Sequence, residues 1–536
     1  MKDMKNTRKM SERLWAFLLA AMLLITSCMT VFATEESTGT GTTPSADDKG
    51  TITVTNVTGN PTLTAYKIVK ANYTENGFTG YETVDGVTIG DIANPTAEEI
   101  FAIAKKTAVL GEGKVLTSDG NTTYTADNMQ AGVYLIIASG ADTTTVYNPM
   151  VVSVYYAVDG SGIQNGEVSA EDNWTLVGGT TVAKSSEPTI KKEIVDAADG
   201  KGKGSDVAVG DEISYQVKAT IPTYSEQYEA VSFEISDTMS DGLKPNENAV
   251  VTVKGEPVDK NGYEITYTGQ TMTIKFTDAY IRANGGTEVT VAYSGTLQDT
   301  ALVNMDGNSN TAKISYSNDP TNKDSKKEKT DKTYIYTFAL DGKISGNTNL
   351  IKAKSHEIIK VNENGEVVDQ TFDTTTEETV VTHALGGAEF TLTQLDVDGE
   401  PTGKSYKATT NANGYFEGFT GLDAGAYELK ETKAPDGYSL DTQTHHVEIT
   451  PAYNEDGTLH SYTVTVDGKA STYEATYVGG TITKIEPTTT TTTYIKNSKL
   501  GSLPATGGIG TYIFTVIGVA LMVIAAVMYL RKRKAA

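Results

Sequence analysis

Three polar residues stand where a strand pattern calls for apolar ones, and together they can do covalent chemistry. In a strand every second residue shares a face. Ile190, Lys192 and Ile194 therefore share one face, and Val231, Phe233, Ile235 and Asp237 share another. Ala312, Ile314, Tyr316 and Asn318 share a third. Each apolar face carries one intruder: a lysine, an aspartate or an asparagine. An isolated charge on a core face is expensive to desolvate, so the three call for one another. Burial lowers a lysine's pKa toward a neutral, nucleophilic amine and lets a carboxyl keep its proton. The protonated carboxyl polarises the carboxamide, the amine attacks its carbon, and ammonia leaves. The product is an amide between two side chains. Asn310 has the same parity as Asn318 and is the alternative acceptor. The competing reading puts each residue at a strand end, where alternation reaches solvent.

The elements that must hold these residues are strands almost throughout. Alternating β-branched and polar residues begin at Gly50, with strands expected near residues 51–55, 63–69, 132–137 and 150–156. One helix interrupts them, opened by Thr96 and Glu99 as a capping box after Pro95, with Ile100, Ile103 and Ala104 as its apolar face. Further strands are expected at 212–219, 231–237, 271–276, 288–293 and 312–318. The charged stretch 321–332 reads as a linker. Alternation resumes beyond it and places Tyr427, Leu429 and Glu431 on one face and Ile495 and Asn497 on another. Lys360 lies within an apolar run beside Ile358, Ile359 and Val361, whereas Lys343 has Asp341 and Ala339 as its same-parity neighbours. The threonine run 488–493 reads as part of a last strand, because Tyr494 and Ile495 continue it.

The ends of the chain say where it works. Lys2, Lys5, Arg8, Lys9 and Arg13 precede an apolar run from Leu14 to Leu24 and a small-residue exit ending at Ala33, which reads as a secretory signal peptide. Cys28, the single cysteine, falls inside it, in a sequence that also resembles a lipoprotein box. The exported part is thus cysteine-free and has no disulfide staple. Near the other end, Leu503, Pro504, Ala505, Thr506 and Gly507 precede an uncharged apolar run from Ile509 to Leu530. Arg531, Lys532, Arg533 and Lys534 follow. That run is long enough to span a bilayer as a helix, with the basic tail held inside. Between the two cleavable ends lie 35 Lys+Arg and 66 Asp+Glu, a formal charge of −31. Nucleic acid is excluded as a partner, since phosphate contacts need a basic face. Asp396, Asp398 and Glu400 hint at calcium, but Asp398-Gly399 reads better as a hairpin turn. His445 and His446 are adjacent and so face opposite ways. No metal site, cofactor or enzymatic constellation is expected.

The tail resembles the LPxTG cell-wall sorting signal of Gram-positive surface proteins. The resemblance implies that a sortase transpeptidase cleaves between Thr506 and Gly507 and passes the threonine acyl group to an amine. Residues 385–392 and 425–438 look like the B-type domain of collagen adhesins. The whole series resembles the backbone pilins of sortase-assembled pili. The implied fold class is all-β, with tandem immunoglobulin-like sandwiches. The domains expected are a signal peptide at 1–33, a first domain at 34–184, a middle isopeptide-forming domain at 185–320, a linker at 321–332, a C-terminal domain at 333–499 and the sorting signal and span at 500–536.

In that family an isopeptide bond would join Lys192 to Asn318 with Asp237 assisting. A second would join Lys360 to Asn497 with Glu431 assisting, although about 25 residues separate Lys360 from the following strand, where the family usually has few. Lys184, at the end of the first domain, matches the position of the family's polymerisation lysine, though Ala183 and Ser185 depart from its usual neighbours. Lys191 is the fallback. The partners implied are the sortase, other pilin subunits and peptidoglycan; a host surface ligand is left open. The alternative reading is a single-copy wall-anchored adhesin or accessory pilin.

Overall fold

The computed structural model describes residues 36–38 and 41–533, apart from 93, 140–143, 161, 165, 225–227, 229, 320–323, 341–356, 366–370, 374–377, 381–382, 490 and 501–508. The signal peptide, Lys343 and the pentapeptide 503–507 lie outside these residues. Three β units follow one another, and a terminal helix closes the chain.

In the first unit, a seven-stranded sheet built on Thr62–Thr74, Gly132–Ser139 and Met150–Val158 faces a four-stranded sheet containing Gly50–Thr55. Ile52, Val54, Leu63, Ile136, Val154 and Trp174 pack between the two. The helix Ala97–Ala104 begins at Thr96, whose hydroxyl accepts from Glu99 N while Glu99 returns a bond to Thr96 N. Its Ile100, Ile103 and Ala104 cover Ile68, Val133 and Leu135 on the sheet's other side.

The middle unit is a sandwich of two six-stranded sheets. One runs through Ile190–Ile194, Glu212–Thr220 and Glu288–Leu297. The other runs through Gly204–Asp206, Lys326–Tyr336, Asn308–Ser317, Phe233–Met239 and Thr271–Phe276. The charged stretch expected as a linker is therefore mostly a strand. Lys326–Tyr336 pairs antiparallel with Asn308–Ser317 and parallel with Gly204–Asp206. Its first half buries neither face, so a ladder of backbone bonds can form there under an all-polar composition. Asp331 on this strand accepts the Lys192 amide at 2.7 Å and the Lys203 ammonium at 2.6 Å, which ties it to the other sheet.

The C-terminal unit holds an eight-stranded antiparallel sheet in which Glu389–Leu395 neighbours Gly425–Lys433. Across its core, Ile358–Asn362 pairs in parallel with Thr493–Asn497, the first strand of this layer with the last. The threonine run divides: Thr489 ends the strand Thr481–Thr489 and Thr493 opens the final one. Asp396 accepts from the amides of Asp398 and Glu400, closing a hairpin turn there.

The middle and C-terminal units dock closely. Val209 N donates to Gly421 O at 3.0 Å, and Lys404 grips both oxygens of Asp211 at 2.6 Å. Two half-buried carboxyls, Asp206 and Asp423, converge on the Ala424 amide at 3.2 and 3.0 Å. Burial and the neighbouring Asp206 push Asp423 up to about 7. Beyond the pentapeptide, Ile509–Arg533 is one helix with an exposed apolar surface and three basic residues in its last turn.

Candidate functional sites: two buried lysine cages

The middle cage sits between the sheets. Lys192 comes from the first strand of one sheet, and its side chain is fully buried, as is Asn310; Asp237 is 1% exposed. Lys192 Nζ lies 2.6 Å from Asp237 Oδ2 and also touches the Tyr293 hydroxyl. Tyr293 donates to the same Asp237 oxygen at 2.6 Å, and Asn310 Nδ2 donates to the Tyr293 hydroxyl at 3.4 Å. Tyr215 and Tyr293, stacked with centroids 5.5 Å apart, wall the ammonium at 4.7 and 4.9 Å from their ring centres. Loss of hydration lowers the Lys192 pKa against the opposing pull of Asp237. Moving one proton across the 2.6 Å contact turns the ion pair into an amine and an acid, as amide formation requires.

Asn318 is not in this cage. The strand ends at Ser317, and Asn318 lies half-buried beyond it, its side-chain oxygen accepting from Ser325 Oγ at 2.9 Å. Cross-strand register explains the correction. Asp237 faces Ala312 and Met239 faces Asn310, so Asp237 and Asn310 are diagonal neighbours on one face. Asn318 is eight residues further along, roughly 26 Å at strand rise. Alternation gives Asn310 and Asn318 the same parity; pairing with the Asp237 strand separates them.

The second cage brings Lys360, Glu431 and Asn497 together. Lys360 is held in register by the final strand on one side and by its amide to Gly414 O at 2.9 Å on the other. Gly414 has φ +75°, and a Cβ there would stand 2.3 Å from Lys360 O, so this approach needs glycine. Lys360 Nζ donates to Asn497 Oδ1 and lies 3.1 Å from Glu431 Oε1. Asn497 Nδ2 in turn donates to both Glu431 oxygens, at 2.9 and 3.1 Å. The Asp441 amide fixes Glu431 Oε2 at 2.6 Å, and Phe390 floors the ammonium at 5.3 Å. All three side chains are buried, and desolvation lowers the Lys360 pKa. The carboxamide is thus polarised at both ends, with nucleophile and acid already in contact.

Sequence reasoning missed Tyr293. It has the parity of Val289 and Val291 and looks like one more core aromatic. The available signal was its hydroxyl, which a buried tyrosine must satisfy. Lys184 lies between the strands Thr180–Val182 and Ser185–Ser186, half-buried, its carbonyl accepting from Asn148 N at 3.1 Å. Lys191 is exposed and pairs with Glu193. His445 is buried between Asp441 and Asp467, at 3.2 and 2.7 Å.

Four known families match in series along the chain. Residues 47–185 match the T6 antigen Ig-like domain, and 209–320 the Gram-positive pilin backbone subunit 2, Cna-B-like domain. Residues 371–467 match a prealbumin-like fold domain, and 495–536 the LPXTG cell wall anchor motif. This series, on a stack of β-sandwiches ending in an apolar helix, defines a wall-anchored backbone pilin of the sortase-assembled Gram-positive class, made as a membrane-spanning precursor. Among individual proteins, the chain is 29% identical to the trypsin-resistant surface T6 protein of Streptococcus pyogenes serotype M6, over 92% of this chain and 96% of that one. The solved T6 backbone pilin of that organism, described as a modular three-domain structure, superposes with a TM-score of 0.60 at 23% identity, covering 86% of this chain and all of that one. The full-length major pilin SpaD of Corynebacterium diphtheriae gives 0.47 at 18%, over 85% of this chain and 99% of that one.

Proposed function

We propose that this pilin is a structural subunit, without enzymatic turnover, that is polymerised covalently and stiffened by two internal amides. The observation that carries the reading is the second cage, where an amine, a carboxamide and a carboxyl touch one another with water excluded. Amide formation there would join Lys360 to Asn497, with Glu431 passing protons. In the middle cage it would join Lys192 to Asn310, with Asp237 assisting. Both reactions replace a buried cation by a neutral amide, which removes a desolvation cost. Between subunits, a sortase would cleave after Thr506 and transfer its acyl group to Lys184 of the next copy. Such head-to-tail joining does not close on itself and gives a fibre. Lys184 suits this role by its place at the end of the first unit, ahead of the Lys192 strand. The last subunit would pass to peptidoglycan.

Lys184→Ala should abolish the detergent- and heat-resistant ladder of wall extracts while leaving a folded, wall-attached monomer. A ladder that survives moves the role to another lysine, with Lys191 the first to try.

A further inference from the structure

The two cages differ in one respect that bears on how the proton moves. In the second cage Glu431 reaches the leaving nitrogen directly, since Asn497 Nδ2 donates to both its oxygens. In the middle cage the acid is an aspartate, one methylene shorter, and the hydrogen bond from Asn310 Nδ2 goes to the Tyr293 hydroxyl instead. That hydroxyl also touches Lys192 Nζ and donates to Asp237 Oδ2 at 2.6 Å. It thus contacts the nucleophile, the leaving nitrogen and the acid. Among the described residues, the buried Asn310 carbonyl oxygen has no hydrogen-bond partner.

Resting on the crosslink reading above, the geometry points to Tyr293 as a catalytic residue of the Lys192–Asn310 reaction, relaying the proton from the attacking amine to the departing one. The neutral amine attacks Asn310 Cγ, and the new C–N bond leaves Nζ with a proton too many. As the C–Nδ2 bond breaks, the Tyr293 oxygen gives its proton to Nδ2 and receives one from Nζ, directly or through Asp237 Oδ2. Ammonia departs, no electron changes hands, and tyrosine and aspartate end as they began. Tyr293 is buried and its pKa is raised well above the ordinary tyrosine value, chiefly by desolvation, so the hydroxyl carries its proton into the reaction. Its ring, stacked on Tyr215, holds that oxygen in place.

The test follows both bonds in one chain. Full-length protein is pulse-labelled in cells, denatured at intervals and digested, and the Lys192–Asn310 and Lys360–Asn497 peptides are quantified. Tyr293→Phe keeps the ring and removes the hydroxyl. It should slow the first bond about a hundredfold, the scale of a lost general acid–base group, and leave the second bond unchanged. Fluorotyrosine placed only at position 293 keeps the shape and makes the hydroxyl more acidic, so it must alter the first rate and not the second. This covers the case in which the phenylalanine variant folds poorly. An unchanged first rate in either variant overturns the role of Tyr293 while the crosslink stands. Absence of the Lys192–Asn310 peptide from the wild type overturns the crosslink reading itself.

Discussion

Replacing Asn310 by alanine should lower the melting temperature of the middle unit by about 15 °C. The bond proposed between Lys192 and Asn310 closes a loop of about 120 residues, worth about 5 kcal/mol on the chain-entropy account of a crosslink. The unit runs from the Ile190 strand to Tyr336, and at about 2.1 cal/mol/K per residue its unfolding entropy comes to ~0.3 kcal/mol/K. The ratio of the two gives the shift. Scanning calorimetry of the exported chain, cut before the membrane helix, would read it. Relative to its own sequence mass, the variant should fall short by one ammonia fewer than the wild type does. Asn318→Ala is the discriminating control. It removes only a bond to Ser325 at the end of the strand, which costs about 1 kcal/mol, or about 3 °C, and leaves the mass deficit intact. An Asn310→Ala protein that melts with the wild type and keeps its mass deficit would refute the assignment. A mass deficit lost in Asn318→Ala instead would return the acceptor role to that residue.

Two further outcomes follow from the second cage and the docked carboxyls. Glu431→Ala should leave Lys360 and Asn497 unbonded and reduce the shortfall from the sequence mass by one ammonia; an unaltered shortfall would exclude Glu431 as the assisting acid. Asp423, raised to about 7 in the folded chain by burial and Asp206, binds a proton more readily folded than unfolded. Docking of the middle and C-terminal units should therefore weaken as pH rises from about 4 to about 7. Asp423→Asn should flatten that dependence in denaturant midpoints, and an equally steep profile in the variant would count against the pair.

The strand pattern and the capped helix were readable from alternation and from Thr96 and Glu99, because period and capping are local properties. The second cage was readable in part for the same reason: Lys360, Glu431 and Asn497 each break an apolar run. The middle cage was not fully readable. Asn310 and Asn318 share parity, and only register against the Phe233–Met239 strand decides between them, which is a long-range fact. Strand Lys326–Tyr336 escaped because its stability lies in backbone pairing with Asn308–Ser317, and its charges mask that. Tyr293 escaped because alternation ranks it as apolar, whereas its importance lies in a single oxygen.

That charged strand takes on a different meaning once a fibre is pulled. Tension entering at Lys184 would cross to Asn310 through the first amide and leave through the second, so residues 193–309 and 361–496 carry none of it. The loaded chain between the two bonds, residues 311–359, includes Lys326–Tyr336 and is about 49 residues long, ~170 Å at full stretch. Asn310 faces Thr333, so the pull on this hairpin comes at one end of the ladder and opens its pairs one after another. The ion pair of Asp331 with Lys203 is the latch against that opening. Each subunit would then be a rigid rod with one short, recoverable length of slack, and the fibre a chain of such springs in series.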